Sequence, residues 1–408
     1  MGILHSGQSL SVGDYGTPPY GTSPKNVNNV QLYDSSGAYS SATSGTWSLA
    51  PMVTPARAAI YGDGGLPATT EYPINIGGES PEVTMANTMS ALSLAKYLTA
   101  WSFLAHCAGQ GGAAASVIEK GGTGNAYASL ILEATVANAM RVGYAGALAV
   151  LTHGESDAEE VPPAYADFLE SYQADLQSDM QALIGPLQGK LPLIISQQNS
   201  NPFGGIQNNS ALDQVAASIA NPGVIILSGP KYYVPYYSDR QHLTRVGYQL
   251  VGEKYGQVGF GLLSGLGYTP FLPTGITISG NVVTVSFSAN VLPLQFSTAF
   301  TAPHLSGAYS AWAAGKGFEA WTGGEGGTVV GITSVAVVAS NTVQITCASP
   351  PTLIGYAHTP DTTSSYTGGF PDGRCGLLTD SDPFVGPITS TAQPNWCPEL
   401  SLPVPWSP

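Results

Sequence analysis

A layered α/β fold around a parallel sheet, followed by an all-β region, is what this 408-residue sequence predicts. Three observations carry the prediction. Between residues 81 and 260, short and almost continuously apolar runs alternate with longer segments of helical periodicity. After residue 269 the apolar period changes to two. The 50 Gly and 31 Pro punctuate the chain without a regular spacing, which excludes a collagen-like repeat and points to many tight turns.

The first apolar run, residues 3–5, is expected to open a set of five strands. Residues 101–107, 146–152, 191–196 and 224–228 supply the others, each apolar on both faces, as a parallel strand covered by helices on either side must be. Helices are expected at 82–100, where Ser80-Pro81 offers a cap and a first-turn proline, and at 125–143, 163–184 and 243–255. Residues 14–80 break this rhythm: rich in Gly, Pro, Ser, Thr and Tyr, they read as a long ordered excursion over one end of the sheet. In the C-terminal part Val283, Val285 and Phe287 alternate with polar residues, as do Val343, Ile345 and Cys347. That is the pattern of half-buried antiparallel strands. The expected division is therefore an α/β domain at 1–268 and an all-β, sandwich-like accessory domain at 269–408.

Composition excludes several classes of function. With 43% apolar residues the chain can bury a core, so it is not disordered. Twelve Lys and Arg against 26 Asp and Glu give a net charge of -14 and no basic run, which argues against a nucleic-acid partner and against an anionic membrane surface. No apolar stretch is long enough to span a bilayer, and the N-terminus lacks the layout of a signal peptide. Four Cys are too few for a disulfide framework and no C-x-x-C is present to hold zinc. Cys107 reads as a core thiol, and one bridge among Cys347, Cys375 and Cys397 is conceivable.

Polar clusters fall just beyond the expected strand ends, where layered α/β enzymes keep their sites. In Gly7-Gln8-Ser9 a serine on a tight turn can present both its hydroxyl and its own N–H to a crevice, although a polar turn is the ordinary use of such residues. His153-Gly154-Glu155-Ser156-Asp157 brings a histidine and two carboxylates to the end of a buried strand, either as helix caps or as site residues. Asp239-Arg240-Gln241-His242 leads into a helix, and a carboxylate three residues before a histidine can fix the imidazole tautomer and leave its other nitrogen free to take a proton. The run Gly109-Gln110-Gly111-Gly112 lets backbone N–H groups approach a ligand. It lacks the Gly-Lys-Ser/Thr ending of a phosphate loop, so an oxyanion suits it better, and Gly111 is expected to tolerate no side chain.

In this order, Gly7-Gln8-Ser9, Gly111-Gly112 with Ile118 and Lys120-Gly121, Gly154-Glu155-Ser156-Asp157 and Asp239-x-x-His242 resemble the blocks of SGNH (GDSL-like) hydrolases, across residues 2–260. The resemblance is to the carbohydrate-esterase branch with sialate O-acetylesterases and acetylxylan esterases. Lys316-Gly317-Phe318-Glu319, Gly355-Tyr356-Ala357 and residues 377–384 are similar to the β-domain that often follows. The resemblance implies a flavodoxin-like three-layer α/β/α domain, Ser9 as nucleophile and His242 as base, with either Asp239 or Glu155 as the acid behind it. Ser9 and Gly111 N–H groups would bind the oxyanion, with His153 standing where this branch often has Gln as a third donor. The implied activity is removal of acetyl or other short acyl groups from a glycan, with no metal or cofactor, in an extracellular or virion-associated setting. Tyr15, Tyr20, Tyr33, Tyr39 and Trp47 in the excursion would suit sugar stacking or simply anchor a long loop. A noncatalytic glycan-binding or adhesion module, and a lipase or thioesterase of the same fold, are the alternatives.

Overall fold

The computed structural model describes residues 1–20, 23–34, 47–53, 78–124, 126–140, 143–187, 189–361 and 368–408. Its first part is a seven-stranded sheet in the order β3-β2-β4-β1-β5-β6-β7. The five expected strands form its centre and far edge: β1 (Gly2–Gly7), β4 (Leu104–Gly109), β5 (Gly146–Thr152), β6 (Leu193–Gln197) and β7 (Ile225–Pro230). All pair in parallel. Two further strands, β2 (Val30–Asp34) and β3 (Trp47–Pro51), come from the excursion and extend the edge beside β4, β2 in parallel and β3 antiparallel. Each is only five residues long, too short for an alternation to stand out from its surroundings.

Successive strand residues point to opposite layers, which is why the runs are apolar throughout. Ile3, Ala105, Cys107, Leu148, Val150, Ile194 and Ile226 face α1 (Pro81–Tyr97) and α6 (Arg245–Leu263). Leu4, Ala149, Leu151, Leu193, Ile195 and Leu227 face α3 (Ala126–Met140), α4 (Ala164–Ile184) and α5 (Asn209–Ala220). A short α2 (Ala115–Ile118) precedes α3. Glycines on α6 let it lie close against α1: a Cβ at Gly252 would come within 2.5 Å of the Pro81 carbonyl, and one at Gly256 within 2.6 Å of Thr88 Cβ. α5 was not expected from the sequence, because its buried face carries Ser210, Asp213, Gln214 and Ser218 among small apolar residues. Among the described residues no helix is long and apolar enough to cross a membrane.

The C-terminal part is antiparallel and includes a small two-stranded pairing of β10 (Gln295–Phe296) with β16 (Leu378–Thr379). One sheet has the order β13-β14-β9-β8, built from β8 (Leu272–Ser279), β9 (Val282–Ser288), β13 (Ile332–Ala339) and β14 (Thr342–Cys347). A second has the order β12-β11-β15-β17, from β11 (Phe318–Thr322), β12 (Thr328–Val329), β15 (Leu353–Tyr356) and β17 (Leu400–Pro403). The alternation read from the sequence is what fills the core: Val283 pairs with Ile345 and Val285 with Val343, all buried. All four cysteines are buried free thiols, so no bridge joins Cys347, Cys375 and Cys397.

A polar seam ties the two parts. Gln197 and Glu399 exchange two hydrogen bonds (2.9 and 2.7 Å), and the Tyr232 hydroxyl donates to the Cys397 carbonyl at 2.6 Å. Lys254 Nζ donates to Gln393 O and Asn395 Oδ1, and Glu253 accepts from Ile388 N, Thr389 N and Gln393 Nε2.

Candidate active site

The polar turns leaving β1, β4, β5 and β7 meet at the C-terminal edge of the parallel sheet, the usual position for a site in such a sheet. The β1 turn depends on Gly7: its φ is +145°, and a Cβ there would lie 2.1 Å from the Thr152 carbonyl. Gln8 N–H then donates to Thr152 O at 3.2 Å, and Ser11 donates to Gln8 O from both its N–H and its hydroxyl. This closes a tight turn that carries Ser9. Gln110 N–H donates to Gly7 O at 2.9 Å, so the Gly111 turn runs alongside. Among the described residues, neither Ser9 N–H nor Gly111 N–H donates to a protein group. The space beside Gly111 is open: a Cβ there would meet nothing within 4 Å, so protein packing does not forbid a side chain, contrary to expectation.

Between β7 and α6, Asp239 folds its own turn. Its Oδ1 accepts the N–H groups of Gln241 and His242, both at 3.0 Å, and its Oδ2 lies 2.6 Å from His242 Nδ1. Burial opposes ionisation of this carboxyl, but the hydrogen bonds from the His242 ring and from Gln241 and His242 N–H hold it below the usual carboxylate value. The other ring nitrogen, His242 Nε2, lies 2.8 Å from Ser9 Oγ. Ser9, His242 and Asp239 thus form one unbroken hydrogen-bonded chain. The Thr244 side chain caps α6 by accepting Gly247 N–H, which fixes where this turn ends. Chemically, such a chain can deprotonate the serine hydroxyl as it attacks an acyl carbon.

Two of the residues weighed from sequence lie elsewhere. Glu155 is fully buried and its Oε1 meets Lys231 Nζ at 2.8 Å, with Lys231 equally sealed. A buried carboxylate takes the cation that neutralises it, so the carboxylate on His242 Nδ1 is Asp239 and not Glu155. His153 is also fully buried, with Nδ1 2.9 Å from the Tyr165 hydroxyl and Nε2 2.8 Å from the Ala113 carbonyl. Both nitrogens are engaged and burial favours the neutral ring, so its side chain is a brace behind the Gly111 turn, with no donor left for an oxyanion. Asp157 caps, but not the helix that follows it: its carboxylate accepts Ala115 N–H at the start of α2, at 3.0 and 3.2 Å.

Sequence reasoning passed over Asp14. It is nearly buried, and its Oδ2 sits 3.6 Å from His242 Nε2, on the serine side of the ring. Burial pushes its carboxyl up to about 6, against the pull of His242 and the Tyr15 N–H and with a further rise from Asp239. Tyr15 lays its ring 4.7 Å from that of His242 and 5.0 Å from that of Tyr237, and both tyrosines are exposed. Tyr20 lies beneath the Arg245 guanidinium, 3.9 Å from its ring centroid. Tyr39 and the side chains of Tyr33 and Trp47 lie outside the described residues.

One buried group, His5, Glu82 and Cys107, has the residue types of a metal site. Here His5 Nδ1 is 3.0 Å from Glu82 Oε2 and Nε2 is 3.0 Å from Thr152 Oγ1, and burial keeps the Cys107 thiol protonated. Thr152 continues the chain to the Tyr255 hydroxyl and on to Ser196, so both imidazole nitrogens serve a buried hydrogen-bond network under the site.

No protein-family model matches the chain, and no curated protein matches it. Solved structures do. A carbohydrate acetylesterase from Xanthomonas citri superposes with a TM-score of 0.61 over 98% of this chain and 80% of its own, at 11% identity. An Arabidopsis thaliana protein matches 64% of this chain and 97% of its own at 18% identity, TM-score 0.47. A carbohydrate acetylesterase from Sinorhizobium meliloti matches 65% and 99% at 12% identity, TM-score 0.35. The superposition on the Xanthomonas citri protein runs through both the parallel sheet and the antiparallel sheets and shows that this chain shares that protein's fold, a helix-covered parallel sheet with an antiparallel β-region attached.

Proposed function

We propose that the chain is a serine esterase that removes acetyl or similarly short acyl groups from a carbohydrate through an acyl-enzyme intermediate. The observation that carries this reading is the chain Ser9 Oγ–His242 Nε2 at 2.8 Å and His242 Nδ1–Asp239 Oδ2 at 2.6 Å. Ser9 Oγ attacks the acyl carbon and passes its proton to Nε2, while Asp239 holds the Nδ1 proton and stabilises the imidazolium. The negative charge on the former carbonyl oxygen is met by the Ser9 and Gly111 N–H groups. The C–O bond to the sugar then breaks, and the sugar oxygen leaves with the Nε2 proton. Water repeats the sequence on the acyl-serine, releasing the carboxylic acid and restoring Ser9.

A carbohydrate as the alcohol is supported by the exposed rings of Tyr15 and Tyr237 beside the imidazole. The shared fold with the Xanthomonas citri acetylesterase agrees with it. The test is acetate release from a panel of acetylated polysaccharides and sialosides, with Ser9→Ala as control and a fluorophosphonate probe to report Ser9. Labelling of Ser9 together with acetate release supports the reading. A folded protein that binds glycans but is neither labelled nor active would make it a binding module, and turnover that improves with acyl length would make it a lipase or thioesterase.

A further inference from the structure

We propose that Asp14 is a second carboxylate partner of His242, a positioning residue that faces Nε2 and holds the proton-bearing imidazole between taking the proton from Ser9 and giving it to the leaving alcohol. This rests on the serine-esterase reading above. The imidazole is flanked on both sides: Asp239 Oδ2 lies 2.6 Å from Nδ1 and Asp14 Oδ2 lies 3.6 Å from Nε2, the nitrogen that also meets Ser9 Oγ. Asp14 is built into the nucleophile turn. Its N–H donates to Ser9 O at 3.1 Å, its Oδ1 accepts Tyr15 N–H at 2.9 Å, and its carbonyl accepts the Tyr248 hydroxyl at 2.6 Å. With Oδ1 engaged, Oδ2 is the oxygen turned to the ring, and the Tyr15 ring covers the imidazole.

Among the described residues the neighbours leave this carboxylate without a cation other than His242. Asp239 lies across the ring. From α6, Tyr248 touches only the Asp14 backbone, and Arg245 is spent on the Pro18 carbonyl and the Tyr20 ring. Before α1, Glu79 accepts from Tyr20 N–H and Gln249 Nε2. Among the described residues no lysine or arginine pairs with Asp14. A carboxylate so placed attracts the Nε2 proton once it is ionised, and its ionisation falls at about 6. Above that pH it favours the imidazolium that forms in each transition state.

The experiment measures the pH dependence of Ser9 labelling by an alkyl fluorophosphonate. In that reaction the Oγ–P bond forms, the P–F bond breaks, the serine proton passes to Nε2 and fluoride leaves, so no glycan need be known. Asp14→Asn keeps an acceptor for Tyr15 N–H, and Asp14→Ala removes the carboxyl without placing a donor against Nε2. Melting curves check that each is folded. Loss of the charge should move the acid limb to lower pH by about 0.5 to 1 unit. The plateau should drop by about threefold to tenfold. A structural role for Asp14 would lower the plateau and leave the limb in place. A limb within about 0.3 unit of wild type, or one moved upward, in whichever variant folds overturns the proposal. Absence of labelling in the wild type overturns the serine-esterase reading, and this one with it.

Discussion

Two histidines of this chain, His242 and His358, each hold a carboxylate on Nδ1, and they do opposite things with it. His242 Nδ1 meets Asp239 at 2.6 Å, its Nε2 meets a hydroxyl, and its side chain keeps 12% of its surface open. His358 Nδ1 meets Glu399 at 2.8 Å, its Nε2 faces a second carboxylate, Glu325, at 3.5 Å, and it is sealed. Burial alone would lower the proton affinity of His358. The bonds to Glu325 and Glu399 outweigh it and push the ring up to about 10. A ring clamped between two acids and closed to solvent is a fixed cation that joins Glu325 on one side to Glu399 and the seam on the other. His242 also has a second carboxylate, Asp14, 3.6 Å from Nε2, but there Nε2 meets the Ser9 hydroxyl at 2.8 Å and the ring keeps an opening, so it can exchange its proton. Carboxylates are common to both, so it is the hydroxyl on Nε2 and the access that equip His242 for the base role proposed for it, while His358 is left as a strut.

The largest expected effect tests the hydroxyl. Ser9→Ala should lower ester hydrolysis by roughly a millionfold, as loss of a nucleophile does in a unit of this kind. Its melting temperature should stay near wild type, because among the described residues the Ser9 side chain bonds to nothing but His242. Activity persisting near wild type would put the chemistry elsewhere and leave His242 no more a base than His358.

Next comes the acid. Asp239→Asn can hold the wrong tautomer and should cost about 10⁴ in kcat. Glu155→Gln should act on folding instead. It strips Lys231 of its buried partner, a loss of about 3–5 kcal/mol, and leaves kcat of the folded enzyme nearly intact. Urea midpoints and kcat measured on both variants separate the two. A large kcat loss in Glu155→Gln at unchanged stability would return Glu155 to the mechanism.

A smaller effect sharpens the other half of the comparison. His358 binds its proton more tightly folded than unfolded, so its contribution to stability is complete below its unfolded value of 6.5 and is lost as pH rises toward about 10. Lys254 works in the opposite sense above about 8, because burial lowers its value and the unfolded chain then binds the extra proton. Between 6.5 and 8 His358 alone should lower stability by at most about 1.4 kcal/mol per pH unit; His304, raised against burial by Glu319 and Asp361, adds in the same sense, and the N-terminal amine, lowered from 8.0 by burial, opposes it. Urea melts across this window should show the slope, and His358→Gln should flatten it. An unchanged slope in a folded His358→Gln would mean that the ring is neutral and the clamp is not ionic.

What was legible in the sequence follows from how local each signal is. Residues 146–152 were read with the right bounds, because a strand buried on both faces is apolar at every position and a polar cluster ends it. The pairing of Asp239 with His242 was readable because one turn holds both. Glu155 with Lys231 and His358 with Glu399 are contacts between distant segments, and nothing in the local pattern marks them. Asp14 escaped for a different reason. It sits five residues after Ser9, where only the closing of the turn decides whether a carboxylate faces solvent or the imidazole.

The smallest expected effect concerns the Gly111 turn, which carries the proposed oxyanion donor. Gly7 has no room for a side chain, whereas a Cβ at Gly111 meets nothing within 4 Å and the backbone there is not in the left-handed region. Gly111→Ala keeps its N–H and should fold normally, with kcat on a small acetyl ester within about threefold of wild type, since loss of an oxyanion donor itself would cost 10²–10³. Steady-state kinetics on an acetyl ester, beside a melting curve, measure both. A hundredfold loss in a stable Gly111→Ala would mean that the open space beside Gly111 is where the substrate packs, and the turn would then select the acyl group as well as hold its oxygen. Unchanged kinetics leave the role to the N–H, which any residue but proline supplies.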